Sequence, residues 1–435
     1  MISNSQTESG LYFKFKFKNN TIAIVIIHLI FLSTIYFILN HYNIIHTIPN
    51  NQNILNWDAS WFYSIKDFGY RFIPYRPCNL AFFPLFPYFW SLSFLTPILI
   101  CLFNICLFCI SFTILVRKEK LPYSFCILIL SIPSFIFFYL PYSESFFFLF
   151  GAIILRGYKT DSIILKSIGF LFASMTKSVS IILIPAIIIS ELYDQSALKT
   201  LKKRIISIIY CILSSLTGFF ITIIVQGSQT GKWFYFLEIQ QYWKRNWILP
   251  KFSLTTYSPE RVLGVDSVSF AIGSIAIFYS IKWFCILINK NKSTQVTVLS
   301  GISGAVILSA LYLSATTMLD TFFTFNIDGS TSIWSLNRHI LCTPFAVTFI
   351  VWLFKNIDKS KSEMLVVSTM LLFCIYLTGL YKHPGMLLYF LIFFLSFIIL
   401  KFYPSLKHYL LIVYLLNILI QIQFFQDFLA NRWIG

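Results

Sequence analysis

Runs of about twenty apolar residues recur from Thr21 to Phe425 in this chain. A helix needs roughly 20 residues to cross about 30 Å of hydrocarbon, and it satisfies all its backbone groups within one segment. The runs therefore predict an all-α, polytopic transmembrane bundle. Charged residues are only 11% of the chain, against about 25% in soluble domains, which excludes a soluble enzyme and a disordered chain. The apolar–polar alternation of a membrane β-barrel is not seen. The runs read as about 11–13 spans, at 21–41, 95–116, 121–140, 144–157, 162–174, 178–192, 205–226, 267–288, 296–317, 336–354, 364–380, 385–400 and 408–425. A further apolar stretch, 81–94, holds Pro84 and Pro87 and reads as re-entrant or interfacial.

The formal net charge is +17. In a soluble protein that would suggest nucleic acid. Here the bases fall in short loops between spans, as the positive-inside rule and anionic lipid require. No nucleic-acid partner is expected. Lys14, Lys16 and Lys18, then Arg117, Lys118 and Lys120, then Lys202, Lys203 and Arg204 mark the cytoplasmic side. Residues 1–20 read as a basic cytoplasmic N-terminus with no cleavable signal, and 21–435 as one transmembrane domain. The opposite face carries three sizeable loops, 41–80, 227–266 and 318–337, rich in aromatic and charged residues. Chemistry needs polar groups near water, so a site is expected there. No HxxH or HExxH pattern occurs, and eight of the nine cysteines, the Cys106-Leu107-Phe108-Cys109 pair among them, lie inside apolar runs, so no disulfide framework, zinc site or other cofactor is expected.

Three stretches carry chemistry. In 56–70, Asn56 reads as a helix N-cap. Trp57, Trp61, Ile65 and Phe68 form an apolar stripe at helical spacing, and Gly69 ends the helix. This reads as an interfacial helix within a first outer loop, 41–94, held by its Trp residues. Asp58, in the first turn, is either a carboxylate favoured by the helix dipole or a reactive base. Asp67 reads as a solvated partner of Lys66 or Arg71. Next, Phe82, Phe83 and Pro84 begin the proline-bearing stretch. In the third, Tyr142 and Ser143 precede Glu144, where one apolar run hands over to another. An ionisable group there is a functional candidate, with a satisfied structural carboxylate as the alternative. Lys177 and the pair Arg338–His339 interrupt apolar sequence on the same side; they either snorkel or hold an anion.

In order and spacing, Trp57-Asp58, Gly69-Tyr70, Ala81 to Pro87 and Tyr142 to Ser145 resemble the PIG-V family over about residues 55–185. Its eukaryotic members are the second mannosyltransferase of GPI-anchor synthesis, and bacteria carry homologues. Arg338-His339 before Pro344 resembles the family's late Arg–aromatic pair, with His where Tyr is common. Lys177 stands where the family more usually has arginine, and Ser178-Val179-Ser180 replaces a glycine-containing turn.

The resemblance implies a GT-C fold whose first outer loop carries a catalytic acid. It implies sugar transfer, with inversion, from a polyprenyl-phosphate donor on the periplasmic or lumenal face. Asp58 would be the base, and Glu144 would orient sugar hydroxyls or Lys177. Arg338, Lys177 and His339 would bind the donor phosphate. Trp57, Trp61, Phe82, Phe83, Pro84, Tyr142 and Ser143 would line the prenyl and substrate groove. Expected partners are a polyprenyl-phosphate sugar, a lipid or glycan acceptor and membrane lipids. The expected location is a bacterial inner membrane, or the endoplasmic reticulum in a eukaryote. The alternative is a secondary transporter or lipid flippase, which predicts charges near the bilayer midplane.

The orientation is checked by single-cysteine labelling in a cysteine-free background. Position 58 should react from outside, and position 118 only after permeabilisation. Reaction of both from the same side would sink the assignment of faces.

Overall fold

The computed structural model describes residues 21–117, 119, 121–178, 182–194, 200–288, 302–356 and 361–435. The basic segment 1–20, Lys118, Lys120, Val179 and Ser180 lie outside them. The chain is mostly helical. In order come α1 (Thr21–His41), α2 (Asp58–Phe68), α3 (Leu85–Ser93), α4 (Pro97–Val116), α5 (Tyr123–Leu130), α6 (Glu144–Thr160), α7 (Ile163–Ser174), α8 (Leu183–Tyr193), α9 (Leu201–Thr230) and α10 (Tyr235–Tyr242). Then follow α11 (Glu260–Ile288), α12 (Gly304–Phe322), α13 (Leu336–Leu341), α14 (Pro344–Asn356), α15 (Lys361–Leu377), α16 (Pro384–Phe402) and α17 (Leu410–Leu429). Among the described residues, seven helices are long and apolar enough to cross a membrane, or eight if one bent pair is a single span. This is a multi-pass membrane protein. α7, α8, α14 and α15 are apolar but shorter, so the expected 11–13 spans contain several helices below full crossing length.

Helix starts follow local chemistry. Thr96 accepts a hydrogen bond from the Leu99 N–H, with Pro97 at the first helical position of α4. Ser162 caps α7 and Thr200 caps α9 in the same way. These caps satisfy N–H groups that a helix start leaves open. At Pro84 and Pro87 the outcome differs from a broken span. Pro84 precedes α3 and Pro87 sits in its first turn, where the missing N–H costs nothing. The prolines start a helix.

The expected span 121–140 is broken. α5 ends at Leu130, and Pro133–Tyr139 forms a 3-10 helix. That segment meets α6 at 102°. Such breaks are tolerated where side chains satisfy the freed backbone groups. Here Gln421 of α17 donates to the carbonyls of Leu130 (3.1 Å) and Ile132 (2.8 Å). Asn104 of α4 donates to those of Leu140 (2.7 Å) and Tyr142 (3.1 Å). The break is thus a built element, and it delivers Glu144 as the first residue of α6.

Between helices the contacts are close. A Cβ at Gly218 of α9 would stand 2.2 Å from the Leu171 carbonyl oxygen of α7, so only glycine permits that crossing, as is common where membrane helices touch backbone to backbone. Lys166, which falls inside an apolar run, is fully buried in an ion pair with Glu191 and a 2.5 Å hydrogen bond to Ser207. The loops 231–259 and 323–335 are stitched together by β1 (Asn246–Trp247) against β2 (Phe323–Thr324), and β3 (Asn326–Ile327) against β4 (Ser330–Thr331) closes a hairpin within the second loop.

Removing one partner of a buried pair leaves an uncompensated charge, which costs about 3–5 kcal/mol. Lys166→Met should therefore lower stability by that order in a reversible unfolding assay. Lys166→Met with Glu191→Leu should recover most of it. A double variant no better than the single one would refute the pairing as the cause.

Candidate functional site

The side chains singled out on the sequence converge at one end of the bundle. Asp58 is the first residue of α2, Glu144 the first of α6, Lys177 follows α7, and Arg338 lies in α13. Arg338 is 6% exposed. Its Nη1 donates to Asp58 Oδ2 at 2.5 Å and its Nε to Glu144 Oε1 at 2.5 Å. Lys177 Nζ donates to the same Glu144 oxygen at 2.8 Å. The result is a chain, Asp58–Arg338–Glu144–Lys177, of alternating charge. Charge-assisted contacts of this kind are short and strong. Burial opposes the charge on Arg338, but Glu144 and Asp58 outweigh it and raise its proton affinity.

The rings of Tyr142 and Phe137 flank the guanidinium, at 4.7 and 5.5 Å from centroid to Cζ. Support for α13 comes from Asp266 of α11, whose Oδ1 accepts the Asn337 N–H at 2.8 Å. Two acceptor positions remain open. Glu144 Oε2 is buried without a hydrogen-bond partner. Asp58 Oδ1 makes no hydrogen bond to a described residue, its partner Arg338 being on Oδ2.

A second group adjoins the chain. His339 Nδ1 lies 2.7 Å from Asp320 Oδ2 at the end of α12. Arg245, in the loop before β1, reaches Asp320 Oδ1 at 3.8 Å and lies over the Trp334 ring. So Arg338 and His339, adjacent in sequence, serve different neighbours. Two of the Arg338 donor positions go to carboxylates, those of Asp58 and Glu144.

The first outer loop departs from expectation in its details. Asn56 does not cap α2 with its side chain; the N-cap is Trp57, with φ 55°, and no side-chain cap bond forms. The Asn56 amide instead donates to the Phe428 carbonyl at 2.7 Å, at the end of α17. The buried face of α2 is Ala59, Phe62 and Ile65, and Phe68 is 60% exposed. Packing on α3 sets that face, so Trp57 and Trp61 stand at its margin. Gly69 ends α2 with φ 71°, a conformation glycine adopts without cost. Asp67 pairs with Lys66 at 2.5 Å.

Of the expected groove residues, Trp57 packs edge-on to Trp433 with centroids 5.0 Å apart. Trp61 stacks on Phe82 and meets Trp243 edge-on. Tyr142 touches the guanidinium, and Ser143 is buried at the start of α6. Phe83 joins a separate packing cluster with Ile223 and Phe236, and Pro84 is buried, so these two contribute to packing at that point.

Asp320, Arg245 and Asp266 were not singled out on the sequence. Scarcity was the available signal: Asp and Glu together number 16, and Asp320 and Asp266 lie within apolar helices. Among the described residues, no group of three or more His, Cys, Asp or Glu side chains is arranged to hold a metal ion. No protein-family model, curated protein or solved structure matches the chain.

Contacting charged residues show coupling of about 0.5–3 kcal/mol in double-mutant cycles. A cycle on Glu144→Gln and Arg338→Gln, read by thermal unfolding, should give coupling of that size. Additive effects would show that the pair is not formed in the membrane.

Proposed function

We propose that this protein is an integral membrane glycosyltransferase of the GT-C type. It moves a hexose, most simply mannose, from a polyprenyl-phosphate sugar to a hydroxyl acceptor on the extracytoplasmic face, with inversion. The observation that carries the reading is the convergence of Asp58, Arg338, Glu144 and Lys177 at helix ends on one side of the bundle, beside aromatic residues of the first loop. The resemblance of residues 55–185 to the PIG-V family points the same way. A transporter or flippase predicts ionisable groups near the midplane. Here a fully buried ion pair elsewhere, Lys166–Glu191, joins the first turn of α7 to the last turn of α8, at the far ends of those helices from Lys177.

The chemistry asks for one base and a cationic seat for phosphate. The acceptor oxygen attacks the anomeric carbon as its proton passes to Asp58 Oδ1. The bond from that carbon to the phosphate oxygen breaks, and its electron pair stays on the phosphate. Arg338 fixes Asp58 at the site, and Glu144 orients Arg338 and Lys177. Lys177 neutralises Glu144. Positioning and fixed charge carry most of the rate in such sites, unlike the paired carboxylates of a glycosidase.

Asp58→Asn keeps the size of the side chain but cannot take a proton. Transfer should fall by roughly 10²- to 10⁴-fold, the usual range for general-base catalysis. Asp67→Asn should cost far less. The measurement is turnover of labelled polyprenyl-phosphate mannose by both variants at matched protein level. Near-normal activity in Asp58→Asn, or equal loss in Asp67→Asn, would remove the assignment.

A further inference from the structure

We infer that the leaving phosphate is seated by Arg245 and His339, positioned by Asp320. This deepens the transferase reading above and rests on it. The argument begins with charge. Asp58 and Glu144 carry two negative charges, and Arg338 and Lys177 carry two positive ones, so that chain is already neutral. Both hydrogen-bonding positions that Arg338 uses there are filled by carboxylates, and the residue is buried. An anionic donor gains little net attraction from such a chain unless it displaces a carboxylate, which would leave a buried acid without its partner.

The reaction makes this sharper. A polyprenyl-phosphate sugar is a phosphodiester with one negative charge. After transfer it is a monoester, with about −1.5 to −2 at neutral pH. Charge therefore grows on the phosphate, and the site must supply matching positive charge where it grows.

The second group is also balanced at rest, Arg245 against Asp320, but it has donors not held by hydrogen bonds and an imidazole able to gain a proton. Arg245 approaches Asp320 only at 3.8 Å, beyond hydrogen-bond distance. Among the described residues no hydrogen bond fixes its guanidinium, and its side chain is 21% exposed. Most of its donors are available, and guanidinium holds phosphate oxygens in a bidentate fork. His339 presents Nδ1 to Asp320 at 2.7 Å, and its side chain is 25% exposed. A carboxylate on one ring nitrogen fixes the tautomer and stabilises the imidazolium, as in a catalytic triad. The His339 Nε2 makes no hydrogen bond to a described residue and is available to a ligand.

The charged groups around His339 are Asp320 from α12, Arg245 from the loop before β1, Lys177 after α7 and Arg338 on its own helix, with Asp266 beneath α13. Burial, helped by Arg245 and Lys177, keeps the free imidazole below its ordinary range despite Asp320. At rest it is neutral. A phosphate arriving between Arg245 and His339 reverses that balance, and the imidazole takes a proton from water to donate to the phosphate oxygen. Asp320 touches no substrate; it is a positioning residue, holding Arg245 and the His339 ring beside each other. Trp334 keeps Arg245 over the site through their cation–π contact.

The test uses the full chain in lipid nanodiscs and two probes, farnesyl phosphate and farnesol. Binding is measured by calorimetry at pH 7.5 in two buffers of different ionisation enthalpy, which gives the protons taken up. Wild type should bind farnesyl phosphate more tightly than farnesol. Arg245→Ala should weaken the phosphate probe by roughly 10- to 100-fold, the loss of a charge-assisted contact, and leave farnesol unchanged. His339→Gln should take up fewer protons than wild type with the same probe, a comparison that cancels the titration of the phosphate itself. Asp320→Asn should reduce both effects, and Arg245→Lys should recover part of the affinity. Unfolding temperature of each variant separates misfolding from lost binding, and if Arg245→Ala does not fold, Arg245→Lys and His339→Gln decide.

Unchanged affinity in the Arg245 variants together with unchanged proton uptake in His339→Gln would overturn the seat. The two proposals fail separately. Binding that depends on Arg245 and His339 without sugar transfer removes the transferase reading and keeps the phosphate seat. Sugar transfer with phosphate binding indifferent to both residues does the reverse.

Discussion

One guanidinium determines how this site can exist at all. Arg338 is buried, and a buried cation without partners would destabilise the bundle by several kcal/mol. Its partners are Asp58 at the head of α2 and Glu144 at the head of α6. Each acid in turn would be costly alone. The three groups are therefore mutually required, and the elements bearing them are drawn to one point. Lys177 balances the second carboxylate and closes the count.

The surrounding helices serve this requirement. The 102° break before α6 turns the chain so that Glu144 faces the same end as Asp58. The break is stable because Asn104 and Gln421 satisfy the carbonyls that it frees. Tyr142 lies in the break and covers the guanidinium. The covering loops are joined by a short strand pair, β1 against β2, next to which Arg245 lies beside Asp320. Polar groups here are few, and the ones present work in pairs.

Much of the helical architecture was legible because hydrocarbon imposes it. Each apolar run had to become a helix or a broken helix, and the boundaries of α1 and α4 follow directly. Asp58, Glu144, Lys177 and Arg338 stood out because ionisable residues are scarce among so many apolar ones. Their pairing did not. Asp58 and Arg338 are 280 positions apart, and no local pattern says which acid a distant arginine will choose. The helix α2 was legible, but its buried face was not, since α3 decides which side is covered. Asn56 had the composition of a cap, yet a carbonyl on α17 claimed its amide. Proline was read as interruption at Pro84, where it begins a helix, because its effect depends on position within the turn. Asp320 and Arg245 looked like ordinary loop-side charges, and only the fold brings them to His339.

The Asn56 tether reaches the Phe428 carbonyl, 372 positions along the chain. The peptide just before Asp58 is thus moored to the end of α17. A nascent chain emerging from a ribosome makes Asp58 first, Arg338 much later and that mooring point later still. Until α17 has entered the bilayer, the head of α2 lacks its anchor and the acid beside it has no fixed place. The Asp58–Arg338 contact and the Asn56 tether thus depend on segments made long after α2 itself.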